Sequence, residues 1–321
     1  PTYDVFDENR YFEPADDWKV VPFKGKKLAI TICEDIWNLG DNPLYRICPM
    51  DKMMEQSPDI LLNLSASPFD YTHDEDRKAT IKANVLKYKI PLFYCNAVGS
   101  QTEIVFDGGS FAFDKQANLC GALPMFESAM EIFECTEDGM INSPIIEPAA
   151  RVPNKELNPL TLEPALNIDQ VYKALVLGVK DYFTKMGFAK AIIGSSGGID
   201  SAVTLVIACE ALGAENVRAV LMPSPYSTSH SVDDAVQLSK NLGNPYEIIP
   251  IKEVYESFLH TLKPIFKDMP FSLAEENIQS RSRGNILMAI ANKLGYVLLN
   301  TSNKSELATG YGTLYGDMAG G

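Results

Sequence analysis

Two short stretches of the 321 residues carry side chains that can do chemistry. The first, Gly194-Ser-Ser-Gly-Gly-Ile-Asp-Ser201, falls between an apolar run and a helical pattern. In a strand–turn–helix setting, its successive backbone N–H groups can form an anion-binding nest at a helix N-terminus, where the helix dipole favours negative charge. Gly197 and Gly198 allow close approach of the backbone, and the hydroxyls of Ser196 and Ser201 can donate to phosphate oxygens. Asp200 would repel a bare phosphate, so its carboxylate makes best sense as a ligand to Mg²⁺ bridging phosphates. No GxxxxGK[ST] is present, which excludes a Walker-type loop. A bare Gly-Gly after a strand is more often an ordinary tight turn; the full SGGxDS string is what points to nucleotide binding.

The second stretch, Ile32-Cys-Glu-Asp-Ile-Trp37, puts a thiol at the end of an apolar run. Cys33 could act as a nucleophile if a base and a cation made it a thiolate, because an ordinary thiol titrates near 8.5. Position alone favours the alternative of a small core residue. The other cysteines, at 48, 95, 120, 135 and 209, read as structural. None of the six forms a CxxC pair, which argues against a zinc ribbon or a dithiol redox site, and their sparseness fits thiols in a reducing cytosol. Only His73, His230 and His260 are present, which limits His-based metal sites and Ser-His-Asp or Cys-His machinery.

The elements that must position these residues follow from periodicity. In the first part, 27–33, 59–65 and 90–95 read as strands, 45–56 and 77–88 as helices, and 105–113 as a hairpin around Gly108-Gly109. Five prolines between 142 and 167 mark a linker. Beyond it, 169–187 reads as an amphipathic helix capped by Asp169 and Gly187. Strands at 190–194, 217–222 and 296–300 then alternate with helices at 199–212 and 231–242. This rhythm predicts two α/β domains, the second built on a mostly parallel sheet.

Composition narrows the function classes. With 28 basic and 42 acidic side chains the formal charge is −14, and no basic stripe is visible, so nucleic acid is not an expected partner. A hydrophobic fraction of 46% excludes a disordered chain. No apolar run is long enough to span a membrane, and the aromatic, acidic start is not a signal peptide.

The 194–201 string resembles the pyrophosphate loop of the ATP-pyrophosphatase superfamily. Leu221-Met-Pro-Ser-Pro-Tyr-Ser-Thr-Ser-His230, Glu276-Asn-Ile-Gln-Ser-Arg-Ser-Arg283, Asn303-Lys-Ser-Glu306 and Thr309-Gly-Tyr-Gly-Thr-Leu-Tyr-Gly-Asp317 are similar to the NAD synthetases within it. This resemblance implies ATP and Mg²⁺, with Asp200 and Glu306 as metal ligands. It implies ATP contacts at Ser196, Gly198, Ser201, Met222, Arg283 and Thr301, and deamido-NAD contacts at Asn277 and Asp317. Ser195 departs from the pattern, which expects an apolar residue there.

Thr2-Tyr-Asp-Val-Phe-Asp-Glu-Asn-Arg-Tyr-Phe12, Ile32–Trp37, Leu61-Leu-Asn-Leu-Ser-Ala-Ser-Pro68 and Phe106-Asp-Gly-Gly-Ser110 are similar to the nitrilase-type glutaminase domain of the glutamine-dependent NAD synthetase family. Cys33 falls on that domain's nucleophile, and Tyr3, Glu34 and Ser65 near its glutamine-binding positions. The implied triad also needs a lysine just upstream of Pro1-Thr-Tyr3 and an earlier glutamate, so these residues alone are expected not to hydrolyse glutamine.

The expectation is therefore a piece, lacking both ends, of a cytoplasmic, homo-oligomeric enzyme. The implied fold is a partial nitrilase-like α-β-β-α sandwich over 1–141, a linker over 142–167, and a partial Rossmann-like parallel α/β adenine-nucleotide hydrolase fold over 168–321. The implied reaction amidates deamido-NAD to NAD through an adenylate, with ammonia from glutamine. The rivals are a stand-alone nitrilase-type amidase, another ATP-pyrophosphatase-type ligase such as a tRNA-modifying one, and an assembly subunit without catalysis.

Overall fold

The computed structural model describes residues 2–3, 6–39, 47–70, 73–142 and 168–320. The expected linker lies outside the described residues except for Asn142, as does the start of the helix expected at 45–56. The chain divides into two compact units, Pro1–Ala174 and Leu175–Gly321.

The first unit begins with a small ribbon, β1 (Thr2–Tyr3) against β2 (Phe6–Asp7). β3 (Val21–Phe23), β4 (Lys26–Ile32), α1 (Pro49–Met54), β5 (Ile60–Ser65), α2 (His73–Tyr88) and β6 (Leu92–Asn96) follow. Next come β7 (Val98–Gln101), β8 (Ile104–Asp107), β9 (Phe111–Phe113) and β10 (Leu119–Ala122). A six-stranded sheet runs β10-β9-β6-β5-β4-β3, parallel across β4, β5 and β6 and antiparallel outside them. Side chains alternate along a strand. Ala29, Leu61, Leu92 and Tyr94 therefore share a core with Met50 and Met53 of α1 and with Ile81, Val85 and Tyr88 of α2. The same alternation leaves Ile32 and Leu64 more than half exposed on the other face, so β4 is a half-buried strand.

The expected hairpin at 105–113 does not form. β8 pairs with β7, while β9 crosses to the main sheet and pairs with β6 and β10. Gly108 and Gly109 carry the crossing at φ +70° and +60°, and a Cβ on Gly108 would lie 2.6 Å from Val98 Cγ2. The Gly108 N–H bonds Ala97 O, which ties the crossing to β6 and β7. A last ribbon pairs β11 (Glu134–Cys135) with β12 (Ile141–Asn142).

α3 (Ile168–Met186) spans the division between the units. Asp169 lies inside its first turn, where it meets the dipole rather than capping the helix. Gly187 ends it at φ +72°, as expected. Beyond it come β13 (Ala191–Gly194), α4 (Ile199–Leu212), β14 (Val217–Leu221), α5 (Ser229–Leu242), β15 (Tyr246–Ile248) and α6 (Lys252–Phe266). α7 (Leu273–Leu294), β16 (Val297–Leu298) and α8 (Lys304–Thr309) complete the unit. The four-stranded sheet is wholly parallel in the order β15-β14-β13-β16. Ala191, Ile193, Ala219 and Leu221 point to Phe183 of α3, Leu205 of α4 and Ala235 of α5. Ile192, Val220 and Leu298 point the other way, to Leu287 and Ala291 of α7. This is a Rossmann-like three-layer sandwich, in which the crossovers place ligand sites beyond the carboxyl ends of the strands.

Candidate functional site

In the second unit, the carboxyl ends of β13, β14 and β16 open onto a cleft of about 410 Å³. Ser196, Met222, Arg283, Thr301 and Asp317 all line it. Gly198, Asp200, Ser201, Asn277 and Glu306 do not.

The 194–201 turn is closed on itself. Gly198 N–H donates to Ser196 Oγ at 3.1 Å, Ser201 Oγ–H donates to Gly198 O at 3.0 Å, and the two hydroxyls lie 3.1 Å apart. The hydroxyls and amide expected to meet phosphate thus already have partners, and binding there is an exchange rather than a capture by unused donors. Gly197 makes the turn possible. It sits at φ +81°, and a Cβ on it would lie 2.2 Å from Ser231 O of α5. Ser195 is buried at the cleft wall, its N–H bonded to Val220 O.

Arg283 comes from α7, which starts with a capping box of Ser272 and Glu275. Its Nε donates to Met222 O at 3.1 Å, and burial pushes its pKa below the usual arginine value. A guanidinium remains protonated under such a shift and keeps its other N–H groups for an anion. The loop bearing Asp317 is pinned to the same helix. Ser280 Oγ accepts from Asp317 N at 2.9 Å, and Arg281 Nε donates to Leu314 O at 3.2 Å. Asn277 and Asp317 meet through Thr313, whose hydroxyl donates to Asn277 Oδ1 and whose N–H donates to Asp317 Oδ1.

Asp200 and Glu306 are brought together by one further residue. Asn303 Nδ2 donates to Asp200 Oδ1 at 3.2 Å. Asn303 also caps α8, accepting from Glu306 N at 2.9 Å while its own N–H donates to Glu306 Oε2 at 3.1 Å. Two carboxylates from separate elements fit a hard cation of the Mg²⁺ type, which takes one or two carboxylates and completes its shell with phosphate and water. Among the described residues no group of three or more His, Cys, Asp or Glu converges, so further ligands would come from substrate or solvent.

In the first unit, Cys33 sits just past β4, at the head of a short 3₁₀ turn, with φ +47°. A non-glycine residue held there stores roughly 1–3 kcal/mol of strain, which its surroundings must offset. Asn63, fully buried on β5, supplies part of that support. Its Nδ2 donates to Cys33 O at 3.2 Å and to Thr31 Oγ1 at 3.0 Å, while its Oδ1 accepts from Ser65 Oγ at 2.7 Å. Cys33 and Ser65 thus meet at one amide. Glu34 is buried, at 7% exposure. Asp35 accepts from Ile32 N at 2.9 Å, and burial nevertheless raises its pKa above the ordinary carboxylate value. Tyr3 lies in β1, and only its backbone is described. None of the six cysteines is in a disulfide.

Asn63, Ser280 and Asn303 went unassigned in the sequence reading. Asn63 had a signal, being an amide inside the apolar run Ile60–Leu64. Asn303 had one too, since Asn-x-x-Glu is a capping signature. Ser280 had none, because its partner is a backbone amide distant in sequence.

The family model for NAD synthase matches residues 171–321. That match takes in the cleft, α7 and the Asp200–Asn303–Glu306 group. Along its whole length the chain is 45% identical to the glutamine-dependent NAD(+) synthetase of Synechocystis and 41% identical to that of Thermotoga maritima, covering 56% and 58% of those proteins. It spans a little over half the length of these curated relatives. Among solved structures, the ADP complex of glutamine-dependent NAD⁺ synthetase from Acinetobacter baumannii aligns with all of this chain and 57% of its own, at 36% identity and a TM-score of 0.85. The enzyme from Cytophaga hutchinsonii, at 19% identity and a TM-score of 0.72, shares the fold. The α/β architecture of both units agrees with these likenesses. Among the described residues no helix is long and apolar enough to cross a membrane.

Proposed function

We propose that the intact protein makes NAD by ATP-dependent amidation of deamido-NAD, using ammonia released from glutamine. The observation that carries this reading is the cleft at the carboxyl ends of β13, β14 and β16, where Arg283, Ser196 and Asp317 converge within the residues that match the NAD synthase family model. Ser196, Gly198 and Ser201 would exchange their mutual hydrogen bonds for phosphate oxygens. Arg283, held by Met222 O, presents a fork to phosphate, while Met222 and Thr301 line the walls for the nucleotide. Asn277 and Asp317, joined through Thr313, would orient deamido-NAD. Asp200 and Glu306 would hold Mg²⁺, which when bound offsets charge as pyrophosphate leaves. The nicotinate carboxylate takes AMP from ATP with release of pyrophosphate, and ammonia then displaces AMP to form the amide.

In the first unit, Cys33 would attack the side-chain amide of glutamine, giving a thioester and ammonia; water then releases glutamate. Tyr3, Glu34 and Ser65 would bind the glutamine. The reading assigns 1–141 to the glutaminase part, 142–167 to a linker and 168–321 to the synthetase part, in a cytoplasmic homo-oligomer with no nucleic-acid partner. The test supplies the protein with ATP, Mg²⁺, deamido-NAD and ammonium and assays NAD and AMP. Formation of both in equal amounts is expected; AMP and NAD absent under saturating ammonium overturns the assignment.

A further inference from the structure

We propose that Asn303 is the positioning residue of the cation site, holding Asp200 and Glu306 in register before any ligand arrives. This rests on the reading of those two carboxylates as metal ligands. Asp200 belongs to the first turn of α4, and Glu306 lies in α8, more than a hundred positions further along the chain. One side chain touches both regions. Its Nδ2 reaches Asp200 Oδ1 at 3.2 Å, and its Oδ1 takes the N–H of Glu306 at 2.9 Å. The backbone N–H of Asn303 closes the box on Glu306 Oε2 at 3.1 Å. Both ends of the amide are therefore committed, and each fixes one carboxylate-bearing element.

The chemistry explains why an amide stands here. Asp200 is exposed and Glu306 half-buried. An amide N–H orients the Asp200 carboxylate while adding no charge to the site. A capping residue alone needs no such reach, since serine and aspartate cap equally well. The bond to Asp200 is what serine is too short to make. Residues that orient metal ligands typically change metal affinity 10–100-fold when removed.

The test titrates Mn²⁺ into the intact protein with a non-hydrolysable α,β-methylene ATP analogue, following free Mn²⁺ by electron paramagnetic resonance. Unmutated protein, Asn303→Ser, Asn303→Ala and Asp200→Asn are compared, each with its melting temperature. Asn303→Ser keeps the cap and loses the donor to Asp200; Asn303→Ala loses both. Both variants should weaken Mn²⁺ binding about tenfold, although only the alanine variant melts lower. Mn²⁺ affinity that follows melting temperature, with the serine variant binding like the unmutated protein, overturns the proposal and leaves Asn303 a helix cap. Absence of Mn²⁺ binding in the unmutated protein, or full binding by Asp200→Asn, would instead overturn the reading of the carboxylates.

Discussion

Beside Cys33, Asn63 is buried and both ends of its amide are paired. Asn63 holds the Cys33 carbonyl, and a second network lies near it: Arg77 and Asp107, both almost fully buried, pair at 3.1 Å, and Asn96 joins Asp107 at 3.0 Å and the Ser67 N–H at 2.9 Å. Around the cleft of the second unit Ser195 and Ser201 are buried, but other polar groups are exposed. Ser196, Asp200 and Asp317 all reach solvent, and their hydrogen bonds are ones that a ligand can exchange. The difference teaches how each site is prepared. Cys33, with its strained backbone geometry, is supported by a buried amide. The cleft that would admit a nucleotide keeps Ser196, Asp200 and Asp317 at the surface, paired with neighbouring groups. Substitutions in the first unit should therefore register mainly in stability, and those in the second mainly in binding.

The sharpest break in that comparison is Arg77→Ala. It removes the positive charge beside the buried Asp107 carboxylate, at a cost of about 3–5 kcal/mol, read by denaturant unfolding of the first unit. Full retention of stability would show that the network carries no load. Gly197→Ala comes next. Its Cβ meets Ser231 O at 2.2 Å in a left-handed conformation, a strain of roughly 1–3 kcal/mol. Binding of an ATP analogue, measured by calorimetry, should be lost while the first unit stays folded. Asn63→Ala removes the donor to Cys33 O and should cost about 1–3 kcal/mol; in the intact protein, glutamine-driven NAD formation falls and ammonium-driven formation is kept. Equal loss of both activities would contradict a role confined to the first site.

The smallest effect concerns Asp35. Burial raises its folded pKa above the unfolded value, so the unfolded chain releases the proton first. Its contribution is most favourable below about 3.8 and is lost as pH rises through the folded value. Asp35→Asn should flatten the stability–pH curve just above that point, as seen in melting temperatures from pH 3 to 6; an unchanged curve would contradict it.

Much of the scaffold was legible in local pattern. The helix at 199–212 and the alternation of strands with helices follow from apolar periodicity, which a parallel sheet enforces on both faces. The Gly108-Gly109 turn was not legible, because turn chemistry specifies a reversal without specifying which strand receives the chain next. Asp169 misled because the helical pattern begins one residue before it, at Ile168. At the site, the loop at 194–201 and Arg283 stood out by residue type. Asn303 carried a capping signature, but its bond across the fold to Asp200 left no local signal.

The central claim is that the two units carry separable chemistries. The most direct measurement compares glutamine-driven and ammonium-driven NAD formation, side by side, in the unmutated intact protein, Cys33→Ala and Gly197→Ala. Cys33→Ala should lose only the glutamine-driven activity, and Gly197→Ala should lose both. Glutamine-driven synthesis that survives Cys33→Ala, or ammonium-driven synthesis that survives Gly197→Ala, would contradict the account.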